Sequence, residues 1–218
     1  MRNPLGAVRN AVYYIQRYLM SDNQELQEFL QMIDGEVTTA DRIITNLLEM
    51  TRSKEPEIQQ LNFGEIVHEI WRQTKQNSTV NFHCRVAQDP FWVFADPTQL
   101  CQVVGNLMTN AVQAMPMGGE LYVTGEYQNN STVITVQDTG PGVPPDLRGQ
   151  IFEPLFTTKA KGTGLGLVLC QQIIKRHGGT IEVVDSERGA RFVIHLPHVL
   201  HYHTTVSKNS DSPKFKVV

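Results

Sequence analysis

Long apolar runs are missing from this 218-residue chain. No stretch approaches the roughly 20 consecutive apolar residues that cross a bilayer, and the first residues carry no signal-peptide pattern. A basic surplus is missing too. Nineteen Lys and Arg against 22 Asp and Glu leave a net charge of −3, which supplies no electrostatic footprint for nucleic acid. Cysteine is scarce: Cys84, Cys101 and Cys170 are odd in number and widely spaced, with no CxxC or Cys/His metal spacing. That excludes a disulfide framework and reads as reduced core thiols of a cytosolic protein. The Lys-Ser/Thr of a P-loop is absent, and so is a GxGxxG fingerprint after an early strand. What remains has the composition of a soluble globular protein, compatible with one piece of a larger membrane protein.

Residues 1–55 read as two helices. Leu5, Val8, Val12, Ile15 and Leu19 recur every three or four residues; after the polar turn "SDNQE", Leu26, Leu30, Ile33, Val37, Ala40, Ile44 and Leu47 do the same. Two apolar stripes joined by a short turn predict an antiparallel helical hairpin whose open seam closes by dimerisation into a four-helix bundle, or by packing on the rest of its own chain. The charged, Pro-containing "SKEPE" marks a linker.

Residues 56–200 change character. Asn62 and Glu65 have capping-box spacing before a helix, "VNFHCRV" alternates as a strand, and "FWVFAD" is a second short strand. Asp96-Pro97 sets a helix start that runs to about Met115. Strands at "LYVTGEY" and "TVITVQD", a Gly/Pro-rich segment over 139–163, a helix ended by a Gly pair, and strands at "TIEVVDS" and "ARFVIHLP" complete the domain. The fold class is α+β: the helical hairpin, then an α/β sandwich with helices on one face of a mixed sheet. Residues 201–218 form a polar, patternless tail.

From Pro97 to Gly119 there is no charged residue. Gln99, Gln102, Asn106, Asn110 and Gln113 share one side of that helix, where a solvated face would carry Lys and Glu. This reads as a face shielded against something polar, or as an unusual solvent face. Asn106 and Asn110, at i and i+4, point the same way, and an amide oxygen can ligate Mg²⁺. "DTGPG" puts Asp138 at a strand end with Gly140 and Gly142 behind it. A carboxylate there can accept from an exocyclic amine such as adenine's, and the same spacing also occurs in ordinary turns. "GTGLGL", Gly162 to Leu167, opens a helix and can expose N–H groups to an anion. Between the two glycine motifs, Phe152 and Phe156 suit the anchors of a lid; the alternative is a disordered insertion.

The order of these four motifs resembles the catalytic core of two-component sensor histidine kinases. "NLMTNA" looks like their N box, "DTGPG" their G1 box, "IFEPLF" their F box and "GTGLGL" their G2 box; "EPLFTTKAKGTGLGL" is most similar to the nitrogen-regulation type. The resemblance implies an ATP-dependent protein-histidine kinase of two-component signalling, a cytoplasmic homodimer with a response regulator as partner and no nucleic acid. It implies ATP and Mg as ligands, with the metal on Asn110, adenine on Asp138, and Gly140 and Gly142 flanking the base. Phe152, Phe156, Gly162, Gly164, Leu165, Gly166 and Leu167 would line the nucleotide, and Lys159 would either face the phosphates or stand solvated on the lid. Related gyrase- and Hsp90-like ATPases carry a Glu where Asn106 stands, and an amide cannot act as a general base. A hydrolytic ATPase is thereby disfavoured against phosphoryl transfer. "GARF" puts Ala190 where many relatives place a Thr near adenine.

In the family the first helix opens with His-Glu/Asp-x-Arg/Lys-Asn/Thr-Pro-Leu. "MRNPLGAV" matches from the third position onward, so the phosphorylated His would stand two residues before Met1, and none of the seven histidines takes its place. The sequence reads as a chain begun inside that motif, with a natural kinase lacking its own acceptor as the alternative. Asn3 falls where relatives orient water for dephosphorylating the regulator, which leaves a phosphatase or an ATP-binding scaffold as alternative activities.

Overall fold

The computed structural model describes residues 24–51, 55–74, 79–159 and 162–197, with residues 5, 8, 10–13 and 15 before them. The first helix of the expected hairpin, Asn3, and the 201–218 tail lie outside or almost outside these residues. The chain divides into two compact units, one of residues 1–53 with Leu155–Leu165 and one of residues 54–154 with 166–218.

In the first unit, α1 (Gln24–Thr51) carries the second apolar series of the sequence. Leu30 and Val37 are buried, whereas Phe29, Met32, Leu47 and Leu48 are exposed, so the helix keeps an apolar stripe in solvent.

The second unit runs β1 (Gln59–Asn62), α2 (Phe63–Thr74), β2 (Val80–Val86), β3 (Trp92–Ala95), α3 (Pro97–Ala114), β4 (Gly119–Gln128), β5 (Ser131–Asp138), α4 (Gly166–Arg176), β6 (Thr180–Val184) and β7 (Arg191–Pro197). Five strands form one sheet in the order β2-β4-β5-β7-β6. β2 is parallel to β4 and the other pairings are antiparallel, which makes the expected mixed sheet. The register aligns Val123 with Val136, Val136 with Phe192, and Ile134 with Ile194, which in turn faces Ile181. With side chains alternating along each strand, these residues share one face. α2 packs on β2, α3 on β4 and β5, and α4 on β6, with α3 between the other two helices. This face is the core: Leu121, Val123, Ile134 and Ile194 are fully buried under Leu100, Val103, Val104, Leu107 and Met108 of α3.

The strand expected at "FWVFAD" forms as β3 and pairs with β1, an element the sequence pattern missed, in a separate two-stranded ribbon. Two expectations need correction. Asn62 ends β1, and its Nδ2 donates to Glu65 Oε1 at 2.9 Å, a side-chain pair in place of a capping box's backbone bonds. Of the three cysteines only Cys170 is a core thiol; Cys84 is half-buried and Cys101 exposed. The 139–163 segment also contains two single 3₁₀ turns, Pro145–Leu147 and Gln150–Phe152.

The start of α3 follows the predicted chemistry. Asp96 is the N-cap, its Oδ1 accepting from the Gln99 amide at 3.1 Å, and Pro97 fills the first turn where no N–H partner exists. Asp96 Oδ2 also accepts from the Glu57 amide at 3.1 Å. The Asp96 N–H donates to His177 Nε2 at 3.0 Å, and His177 Nδ1 lies 2.8 Å from the Ile173 carbonyl. His177 therefore carries its proton on Nδ1 and accepts on Nε2. Burial pushes its pKa down, partly offset by the Ile173 carbonyl and the Asp96 carboxylate.

Two outcomes are expected in denaturant unfolding. Ile134→Ala costs about 2–5 kcal/mol by opening the core, while Thr124→Ala on the opposite face changes stability by no more than about 0.5 kcal/mol. His177 has a depressed folded-state pKa, so its contribution to stability is complete above the ordinary histidine value near 6.5 and is lost as pH falls below it. A His177→Gln variant, which cannot titrate, shows a flatter acid limb in the same measurement.

Candidate functional site

Asp138 stands at the end of β5 on the core face and is 4% exposed. A buried carboxylate is costly unless hydrogen-bonded. Its Oδ1 accepts from the Gly140 amide at 2.8 Å and from the Ala190 amide at 3.1 Å. The Asp138 N–H in turn donates to the Ala190 carbonyl at 3.0 Å. Two backbone amides thus hold the carboxylate through Oδ1.

Glycine permits this crowding. Gly189 has φ +73°, and a Cβ there would run into the Asp138 carbonyl and stand 2.7 Å from Asp138 Oδ1. Gly142, also at positive φ, would place a Cβ 2.9 Å from the Gly189 carbonyl oxygen. A Cβ on Gly140 would meet Asp138 Oδ1 at 3.0 Å and the Ala114 carbonyl oxygen at 3.2 Å. Gly140, Gly142 and Asp138 are therefore one packed backbone layer completed by Gly189 and Ala190. The position of Ala190 was noticed in the sequence; Gly189 was not, although a glycine immediately before a final strand was the available signal.

α3 supplies the second wall. Gln99, Gln102, Asn106 and Asn110 are half-buried and Gln113 is exposed. The uncharged face is shielded along most of its length because α4 packs beside it. The two helices run antiparallel: His177 meets Asp96 at one end, Cys170 Sγ lies 3.8 Å from the Val103 carbonyl midway, and Gly166 approaches Asn106 at the other end. Asn106 also hydrogen-bonds the Cys170 thiol, whose pKa burial pushes up to about 12. That thiol stays protonated, in line with its reading as a core thiol; its bond to Asn106 is what the sequence pattern did not show. A Cβ on Gly166 would stand 3.8 Å from Asn106 Cγ, an ordinary contact.

The remaining sequence-predicted residues divide between the units. Phe152 closes the second 3₁₀ turn and is half-buried. Gly166 and Leu167 open α4. Phe156, Lys159, Gly162, Gly164 and Leu165 belong to the Leu155–Leu165 segment of the other unit. Within it, the Leu155 N–H donates to the Gly164 carbonyl at 3.1 Å, and both residues have positive φ, +66° and +64°. The segment is pinched at its base, at a backbone cost for leucine of about 1–2 kcal/mol. Lys159 is exposed and Leu165 buried. Asn3 lies outside the described residues.

Among the described residues no group of three or more His, Cys, Asp or Glu stands together to hold a metal ion. The donors that α3 offers are amide oxygens, which suit a hard cation taking most of its ligands from phosphate and water. The residues present fit Mg²⁺ held in that way.

Residues 95–200 match the family model described as histidine kinase-, DNA gyrase B- and HSP90-like ATPase. The chain is 34% identical over 206 residues to the sensor histidine kinase ZraS of Escherichia coli O157:H7, covering 90% of this chain and 44% of that protein. It therefore spans less than half the length of this curated relative. The nucleotide-free catalytic domain of the histidine kinase ThkA is 33% identical with TM-score 0.61, over 65% of this chain and 96% of that one. The complex of ThkA with the response regulator TrrA is 27% identical with TM-score 0.70, over 91% and 58%.

The two kinds of glycine separate in a stability measurement. Gly189→Ala lowers unfolding stability by roughly 2 kcal/mol or more, because both the φ and the space are wrong. Gly166→Ala, in a helix with room for the methyl group, leaves stability unchanged or raises it by up to about 1 kcal/mol.

Proposed function

Because this chain belongs to the sensor histidine kinases and carries their ATP-binding core, we propose that it binds Mg-ATP and transfers the γ-phosphoryl group to a histidine of a dimerisation helix. The phosphoryl group then passes to an aspartate of a response regulator. The observation that carries the reading is the Asp138 carboxylate, held by the Gly140 and Ala190 amides against a backbone layer that no side chain can enter. An acceptor fixed in that way receives the exocyclic amine of adenine and opposes the carbonyl oxygen of guanine. Gly140 and Gly142 leave room for the flat ring.

The triphosphate falls to the amides and to the start of α4. Asn110 supplies an oxygen to the metal, and Gly166 and Leu167 lie at a helix N-terminus, where backbone N–H groups favour an anion. Mg²⁺, when bound, neutralises phosphate charge. Asn106 orients and does not accept a proton, so catalysis rests on positioning and charge neutralisation. By their F-box and G2-box positions, Phe152, Phe156, Lys159, Gly162, Gly164 and Leu165 are assigned to nucleotide binding. The 1–55 helical region acts as the dimerisation unit, supported by the exposed Phe29, Met32, Leu47 and Leu48 of α1, and 56–200 as the ATP-binding unit. The response-regulator partner is supported by the likeness to the ThkA–TrrA complex.

A second reading rests on Asn3, whose place in "MRNPL" matches a residue that orients water against a phosphorylated regulator. In that case the chain also dephosphorylates its regulator, and Asn3→Ala abolishes the activity; unchanged dephosphorylation by Asn3→Ala refutes it.

The first test mixes the chain with labelled Mg-ATP, alone and with a partner that keeps the H-box histidine but cannot bind ATP. Label on the partner is expected; bound ATP with no label on either chain overturns the kinase reading in favour of a scaffold or phosphatase. Asp138→Asn is expected to weaken ATP binding about 10- to 100-fold and to narrow the preference over GTP, read by calorimetry. Gly166→Ala weakens Mg-ATP binding without lowering the melting temperature.

A further inference from the structure

We propose that His177 is a positioning residue for the triphosphate: it clamps the ends of α3 and α4 remote from the site, and so sets the spacing of Asn106 and Asn110 from Gly166. This rests on the nucleotide reading above and adds a residue outside every site motif. His177 is 3% exposed and spans two elements with two directed bonds, Nε2 accepting from the Asp96 amide and Nδ1 donating to the Ile173 carbonyl. A leucine would fill the same volume without the cost of burying an imidazole. What the ring adds is direction: it joins the N-cap residue of α3 to the last turn of α4.

The rest of the helix interface transmits that register. Cys170 touches the Val103 carbonyl and Asn106 in mid-helix, and Gly166 meets Asn106 at the site end. α4 from Gly166 to His177 spans about 16 Å at 1.5 Å per residue. A tilt at the clamp therefore displaces the helix start that faces the phosphates. Asp138 lies outside this lever. It is fixed by Gly140, in the loop after β5, and by Ala190, just before β7. The clamp should thus govern the phosphate end of the nucleotide and leave the adenine end untouched.

The charged group acting on the ring from α3 is the Asp96 carboxylate, itself engaged by the Glu57 and Gln99 amides; Lys175 and Arg176 precede it on its own helix. The neutral ring with Nδ1–H fits both bonds. A protonated ring would set Nε2–H against the Asp96 N–H.

The test compares AMP with Mg-ATP in the full chain by calorimetry, for wild type, H177F and H177Q. H177F removes both bonds and H177Q keeps an acceptor and a donor. H177F is expected to weaken Mg-ATP binding at least ~10-fold with AMP binding unchanged, and H177Q to retain most of the Mg-ATP affinity. Equal losses for AMP and Mg-ATP, or a lower melting temperature with both affinities intact, assign His177 a structural role only and overturn the proposal. Should H177F not fold, the wild-type chain decides: the ¹⁵N resonances of the His177 ring are expected to shift on adding Mg-ATP and not AMP, and an identical response overturns the proposal. Absence of Mg-ATP binding by wild type overturns the nucleotide reading, and this one with it.

Discussion

Asp138 Oδ1 accepts two backbone N–H groups, one from two residues ahead and one from fifty-two residues ahead. That pairing forces the end of β5, the loop after it and the hairpin before β7 into contact at backbone distance. Glycine at 189 is then compulsory, since any Cβ would enter the Asp138 peptide. In a buried setting each of those hydrogen bonds is expensive to leave unmade, so the layer is held as a unit. The result is a buried carboxylate tied through Oδ1 to two backbone amides from distant parts of the chain.

The second dependence is on the pair α3 and α4. α3 buries Leu100, Val103, Val104, Leu107 and Met108 against the sheet, and turns its uncharged amides toward a helix that opens on glycine. Charged side chains on that face would need water that α4 displaces. Asn106 fills that space without a desolvated charge and hydrogen-bonds the Cys170 thiol. Asn106 is the meeting point, touching Gly166 and Cys170 one turn apart on α4. An acid in its place would sit beside a thiol that burial holds protonated, in a seam that offers it no cation among these contacts.

Much of this was readable from residue order, because the signals were local. Asp96-Pro97 named the start of α3, and its periodic apolar residues named the buried side. The four motifs in sequence order carried the family. What escaped was non-local or too short to show a period. "QQLN" has no alternation, and becomes β1 only because Trp92–Ala95, about thirty residues on, offers it a partner. The single turns at 145–147 and 150–152 are shorter than any periodic window. Cys101 looked like a core thiol because a small side chain in an uncharged helix gives no hint of which way it faces. The need for Gly189 is likewise non-local, since it comes from the Asp138 peptide about fifty residues earlier.

The strand order has a consequence for how such a chain is made. Among the described residues β7 is the last strand in sequence and lies between β5 and β6, and β6 pairs with no other strand. The amide that holds Asp138 comes from the residue just before β7. A ribosome delivering the chain from its N-terminus therefore releases the N-box helix, the G1 loop and the G2 helix as separate pieces of an unfinished sheet. The backbone layer around Asp138 is complete only once residues 189–197 have emerged, so this part of the domain forms in a late step of synthesis.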